Sequence, residues 1–538
     1  MIHLLVLPAL ATSSFDASTV AAEFTGEETY DQSGELKLWS RVERLEDPDR
    51  SLFTQESFNA ELAWPSSAEW APWIADCFGS TTPHSSLALL HMGLNESVAS
   101  GTPILLVPGA GDNGVRAYVT MATRLDRGLR PVYALSFAHA HGDVFQQAEI
   151  IANAIARIKA RTGAAQVDLV AHSKGGIAAA VYLSNDGGDW GHAGYDSKGT
   201  VYRGDVRRAV FVATPLGGID TSFRWPGGNY ASLDGDTALA PTSWTVYYPY
   251  GSGVPSVQES LQDQHIGGGG ADYFPGHRQL LARWDGLYDL PGASAWMGLY
   301  ALQQDWWTTY HGGTGFVSKS EGIDEAIEAG GGLIAALVER GVDPEVELFL
   351  LAGENPLMPN GTEDWLAESF DQAWLDLAGD ALDDWSELVA AAVSNGLEDL
   401  GITEGEVQGL AGGDLVLGDI SGPSDGLVFV DSATKAAALT GRGATVVETR
   451  VVNLSHIDLL YASDITGALL IEEAGDNHSL DWMEALGERY IEANTLAWVE
   501  EVLADEGGGD GGTDSGDGGT DGGDGGTDGG DGGTDGGE

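Results

Sequence analysis

The chain has 538 residues and a formal net charge of −57, from 82 acidic against 25 basic residues. Such a field repels nucleic acid and anionic membrane surfaces, so neither is an expected partner. A hydrophobic content of 43% supplies a substantial core, which excludes a chain disordered throughout.

The N-terminus reads MIHLLVLPALATSS, with an apolar stretch from Leu4 to Leu10 and a small-residue sequence at Ala9-Leu10-Ala11. Residues 1–11 are read as a short export segment, which points to a secreted or cell-surface, bacterial-type protein. The single cysteine, Cys77, rules out an intrachain disulfide and fits either compartment. No run of 18 apolar residues occurs, so no transmembrane segment is expected. Residues 12–100 contain extended-looking pieces at Glu35 to Val42 and Ser86 to Met92. They are read as an N-terminal extension packed on the main domain.

The main domain is expected over 101–504. Pro103 to Gly111 (PILLVPGAG) is a buried-strand run ending in a glycine turn, and Val115 to Leu125 has helical spacing. Pro131 to Phe137 is the next strand, followed by an amphipathic helix from Val144 to Arg161. Val167 to Ala171 and Val206 to Ala213 are further strands, with helix formers from Ile177 to Leu183 between them. This alternation predicts a mostly parallel, doubly wound sheet with helices on both faces.

Ala171-His172-Ser173-Lys174-Gly175 sits at one of these strand-to-helix turns. A serine hydroxyl lifted clear of so sharp a bend needs small residues two positions to either side. The helix that follows turns its free N–H groups and positive dipole end toward the same spot. This is the pattern of the nucleophile elbow of an α/β-hydrolase, with Ala171 in place of the commoner first glycine.

After Thr214-Pro215 the periodicity breaks, and residues 216–344 are rich in Gly, Trp and Tyr. Six of the 16 tryptophans fall between Trp225 and Trp307. The segment is read as an inserted cap that either offers aromatic surface to an apolar substrate or holds an ordinary aromatic core. Glu345 to Ala352 returns to strand character, and 362–411 reads as a second, helical insertion. Val446 to Leu454 is the expected last strand, and Leu480 to Leu503 a closing amphipathic helix. The tail, 505–538, includes three copies of DGGTDGG. Gly and Asp in this ratio bury nothing, so a disordered spacer is expected.

A serine nucleophile needs an imidazole to take its proton and a carboxylate to hold that imidazole. In this fold the order is serine, acid, histidine, with the histidine after the last strand. His456 stands there, and His478 is the rival nearer the closing helix. Asp425 is the expected acid, in a glycine-flanked loop before Leu427 to Val430, with Asp419 and Asp431 as alternatives. His139, His141 and Asp143 are read as a polar loop after a strand rather than as metal ligands.

VDLVAHSKGG, LSHIDLLYASD and VFVATPLGG resemble segments of bacterial triacylglycerol lipases, and SDGLV resembles the acid loop of their larger, lidded members. Phe274 to Asp285 (FPGHRQLLARWD) is similar to a segment of lecithin–cholesterol acyltransferase-like enzymes. The resemblance covers 103–215 and 420–465. It implies a carboxylic-ester hydrolase with Ser173 as nucleophile, Asp425 as acid and His456 as base, acting on a lipid or long-chain ester. It also implies an oxyanion hole from the backbone N–H groups of Ala110 and Lys174. An acyltransferase or a lipid-glycan deacylase would use the same triad, and a non-catalytic surface module could share the fold. Two departures stand out. Pro108-Gly109 replaces the usual His-Gly of the first oxyanion turn, and Lys174 puts a cation where lipases carry an uncharged side chain, expected here at the rim of the site. No cofactor is expected. Asp458 matches a calcium ligand of the lidded lipases, although one carboxylate does not define a site for Ca2+.

Overall fold

The computed structural model describes residues 19–25, 39–46, 76–80, 83–97, 99–115, 117–128, 130–192, 195–221, 275–288, 323–358, 415–416, 422–475 and 481–504. The export segment, the 362–411 insertion, the 505–538 tail and most of 216–344 therefore lie outside the described residues, as do His478 and Asp419.

The chain begins its sheet with β1 (Thr19–Thr25), β2 (Trp39–Glu46) and β3 (Ala88–Gly93). β4 (Ile104–Val107) precedes helix α1 (Val119–Arg127), and β5 (Val132–Phe137) precedes α2 (Val144–Thr162). β6 (Val167–His172) runs directly into α3 (Ser173–Ser184), and β7 (Val206–Val212) follows. The short helix α4 (Pro275–Gln279) and then α5 (Leu333–Arg340) lead to β8 (Glu347–Gly353) and β9 (Thr445–Val452). Helices α6 (Asp464–Ala474), α7 (Asp481–Ala493) and α8 (Thr495–Leu503) close the fold. The described residues through Leu503 fall in one compact unit.

Nine strands hydrogen-bond in the order β1-β2-β3-β5-β4-β6-β7-β8-β9. From β5 to β9 every pairing is parallel, whereas β1, β2 and β3 are antiparallel additions at one edge. The extended pieces of 12–100 thus belong to the sheet itself rather than lying against it. Glu43 of β2, fully buried, is held there by Arg157 and Arg161 of α2 at 2.7 and 2.8 Å.

The central strands are buried on both faces, and their period-two alternation divides the core in two. Leu105, Val107, Val167, Leu169 and Ala171 join α2 and α3 on one side. Ile104, Leu106 and Val170 join α1 and α8 on the other.

One element differs from the sequence reading in a way the chain explains. The expected closing helix is two helices, broken at Asn494, whose φ is +35°. Asparagine tolerates this left-handed conformation, and its side-chain oxygen accepts the Ala497 N–H at 3.2 Å, capping α8.

Candidate active site

Ser173 closes β6 and opens α3 with φ at +51°, a value that β-carbon-bearing residues seldom adopt and that marks a held, strained turn. The glycines that follow make this turn possible by letting neighbouring strands approach. A Cβ at Gly175 would run into the Pro108 carbonyl oxygen, and one at Gly176 into Thr214. Gly109 allows the turn after β4 to close over the nucleophile. A Cβ there would lie 3.0 Å from Ser173 Cβ and 2.9 Å from His172 Nδ1.

His456 follows β9 and presents Nε2 to Ser173 Oγ at 2.9 Å. Its Nδ1 lies 2.8 Å from Asp425 Oδ2. Asp425 is fully buried, and its other oxygen accepts the N–H groups of Leu427 and Val428 at 3.0 and 2.7 Å. Those two amides leave Oδ2 facing the imidazole. An ionised carboxylate only accepts, so Nδ1 carries the proton and Nε2 is left as the acceptor for the serine hydroxyl. The backbone joins the two partners as well, because His456 N–H donates to the Asp425 carbonyl at 3.0 Å.

The structure therefore brings together Ser173 and His456, just past the ends of β6 and β9, with Asp425, whose side chain lies against Gly353 at the end of β8. Asp431, the alternative acid, is exposed and accepts the Tyr288 hydroxyl at 2.8 Å. Strand order, elbow and acid–imidazole–serine chain decide the fold. It is that of an α/β-hydrolase.

No protein-family model matches the chain, and no curated protein matches its sequence. Among solved structures, similar chains include the mature Bacillus licheniformis lipase BlEst2, at 13% identity and a TM-score of 0.30, covering 71% of this chain and 97% of that one. A Listeria innocua gene product is 12% identical with a TM-score of 0.28, over 74% and 97% of the two chains. A thermostable carboxyl esterase from Bacillus coagulans is 12% identical with a TM-score of 0.25, over 53% and 82%.

In the hydrolase fold, Lys174 N–H sits in the first turn of α3, where no intrahelical acceptor exists. Ala110 lies one residue past the glycine that approaches Ser173.

The Lys174 side chain departs from expectation. It is not at the rim but fully buried, and its amine donates to Gln147 Oε1. Burial pushes its pKa down to about 7, against a smaller upward pull from Asp143. A lysine's four-carbon stem fits an apolar interior, but the desolvated ammonium does not. His139 and His141 lie in the loop after β5 and are buried there. Asp143 is the N-cap of α2, accepting from Phe145 and Gln146 N–H at 2.8 and 3.2 Å.

His172 was not singled out by sequence. Its Nε2 lies 3.1 Å from the His456 carbonyl oxygen, so the imidazole donates a proton there and braces the loop that carries His456. Burial holds its pKa well below the ordinary histidine value, which keeps it neutral. The signal was present in its place, immediately before the nucleophile.

Asp458 does not fit a calcium site. Its two oxygens accept the Ser455 and Tyr490 hydroxyls at 2.7 and 2.8 Å, and burial raises its pKa. Among the described residues, no group of three or more His, Cys, Asp or Glu side chains is placed to hold a metal.

Trp284 is the one tryptophan of 225–307 among the described residues. It is buried against Phe429 with ring centres 5.4 Å apart, and donates to the Gly218 carbonyl at 3.1 Å. It thereby packs against the residue that follows the acid loop's Leu427 and Val428. The described part of the lecithin–cholesterol acyltransferase-like segment, 275–285, runs from α4 to this residue's turn. Among the described residues, no helix is long and apolar enough to cross a membrane.

Proposed function

We propose that this chain is a serine carboxylic-ester hydrolase that works through an acyl-enzyme, with a lipid or long-chain ester as substrate. The observation that carries the reading is the continuous chain Ser173 Oγ, His456 Nε2, His456 Nδ1, Asp425 Oδ2, with links of 2.9 and 2.8 Å.

Ser173 Oγ attacks the ester carbonyl while its proton passes to His456 Nε2. The electron pair displaced onto the carbonyl oxygen is held by the N–H groups of Ala110 and Lys174. Asp425 stabilises the imidazolium without taking its proton. The imidazolium then protonates the leaving alkoxide as the C–O bond breaks, and the acyl group stays on Ser173. Water repeats the sequence, giving the carboxylic acid and free serine. The half-buried Ser173 is reachable by substrate, while His456 and Asp425 are shielded from bulk water.

The test is hydrolysis of p-nitrophenyl esters by the purified protein. Ser173→Ala should lower turnover by about 10⁶, the loss seen for a triad serine in a well-studied protease. Near-normal turnover in a folded mutant removes the assignment. Acyl preference follows from the same assay. Each methylene buried is worth about 0.8 kcal/mol, so kcat/KM is expected to rise from acetyl to octanoyl. A maximum at acetyl would make the protein a small-ester esterase.

A further inference from the structure

Lys174 poses a question that ester hydrolysis alone leaves unanswered. A methionine would fill a similar volume next to the nucleophile without the cost of stripping water from an amine. The lysine instead reaches into a pocket where three separate segments meet.

The first segment is the loop from β5 to α2 together with the first turn of α2. Gln147, which accepts from the Lys174 amine, spends its own amide on the carbonyls of His139 and Ala140 at 3.0 and 3.3 Å. The second is α4. A Cβ at Gly276 would run into both Lys174 Cε and the Gly142 carbonyl, so glycine is what lets α4 close onto the lysine. Gly276 N–H donates to the His141 carbonyl at 3.3 Å, and His277 Nε2 lies 3.1 Å from His141 Nδ1. Gln279 completes the join, accepting from Val144 N–H and donating to Asp143 Oδ2, both at 2.8 Å. The third segment is the elbow itself. The charged and titratable groups around the amine are Asp143, which raises its pKa, and His277, whose own pKa falls to about 3 mainly through burial and then through Lys174. His192 pairs with Asp143 from the far side at 2.8 Å.

We infer that Lys174 is a positioning residue: its buried side chain ties the elbow to the loop after β5 with the first turn of α2 and to α4, and so holds Ser173 and the residue-174 amide in register for acyl transfer. The inference rests on the ester-hydrolase reading of Ser173. Because the residue that supplies an oxyanion amide also carries the tie, any loosening of α4 is passed directly to the reacting centre. Misplacement by about 1 Å at such a centre costs on the order of 10²-fold in rate.

The experiment uses the full chain, with Lys174→Met, Gly276→Ala and the double variant. The readouts are kcat and KM on a soluble p-nitrophenyl ester, and amide hydrogen exchange at Gly276. In each single variant kcat should fall roughly tenfold to a hundredfold while KM stays within about twofold, since the interaction acts on chemistry and not on ground-state binding. Exchange at Gly276 should speed up in Lys174→Met, and the double variant should lose less than the product of the two single losses, as expected for coupled sites. Wild-type kcat in Lys174→Met overturns the inference. So does a fall in kcat with unchanged exchange at Gly276, or strict multiplicativity in the double variant. If Lys174→Met does not fold, Gly276→Ala decides alone, with lowered kcat at constant KM supporting the tie and wild-type kcat overturning it. Should Ser173→Ala retain hydrolysis, the ester-hydrolase reading fails instead; a required Ser173 with an indifferent Lys174 sinks only the tie.

Discussion

Ser173 stands between two buried polar clusters of opposite construction. On one side, Asp425 and His456 form a fully partnered pair in which a buried carboxylate is met by an imidazole and two backbone amides. On the other, Lys174 is a buried base whose hydrogen-bond partner is a neutral amide. The first cluster matches the rule that a buried charge must be compensated. The second meets the rule by shifting its equilibrium toward the neutral amine. One side of the elbow is thus built to hold charge, and the other to hold geometry.

The largest expected effect breaks the first cluster. Asp425→Asn keeps the shape but cannot enforce the Nδ1–H tautomer, and should lower kcat by about 10⁴ with the fold intact. Circular dichroism alongside kinetics checks this, and a loss under tenfold would mean that another group orients His456.

A smaller effect sharpens the contrast through pH. His91 and His277 are held near pKa 3 in the folded protein, mainly by burial, against 6.5 when free. The unfolded chain therefore binds these protons first, and stability present above about pH 6.5 is lost as pH falls toward 3. Asp143, whose pKa is lowered overall against its own burial by His192 and hydrogen bonds, adds loss in the same direction. Asp458, raised by burial, opposes it. Lys174 acts at the other end, since its folded pKa of about 7 lies below its ordinary 10.5. Stability should therefore rise with pH between those values, by up to about 1.4 kcal/mol per pH unit for that one proton. Denaturant titrations of wild type and Lys174→Met across pH 7–10 measure the difference. Equal slopes in the two proteins would show that the amine stays charged in its pocket.

The smallest expected effect concerns the acidic tail. Removing residues after Ala504 should leave melting temperature and turnover unchanged, because Gly-Asp repeats carry no apolar surface to dock. A drop of several degrees would show that the tail is bound.

What was legible in the sequence follows the same division. Ser173 was readable because the elbow's sterics force small residues into a short local pattern, and His456 because topology puts it after the last parallel strand. Asp425 was readable from its glycine-flanked loop, although only the structure shows Asp431 turned to Tyr288 at the surface. The Lys174 pocket was not readable. Its walls come from residues 27 and roughly a hundred positions away, and a lysine in isolation is expected in water. Two of the three N-terminal strands, β2 and β3, were read as extended pieces and β1 was not; the buried Glu43 on β2, paired with Arg157 and Arg161 more than a hundred positions away, gave no local signal of a place in the sheet. The break at Asn494 could have been anticipated, since asparagine before threonine both stops one helix and caps the next.

If His456 activates Ser173, the serine is a reactive nucleophile in the folded protein. Incubation of the folded full-length protein with a fluorophosphonate, followed by peptide mapping, tests it most directly. A single modification is expected on Ser173, abolished in Ser173→Ala and strongly slowed in His456→Ala. Modification of a different serine, or none at all in folded wild-type protein, would contradict it.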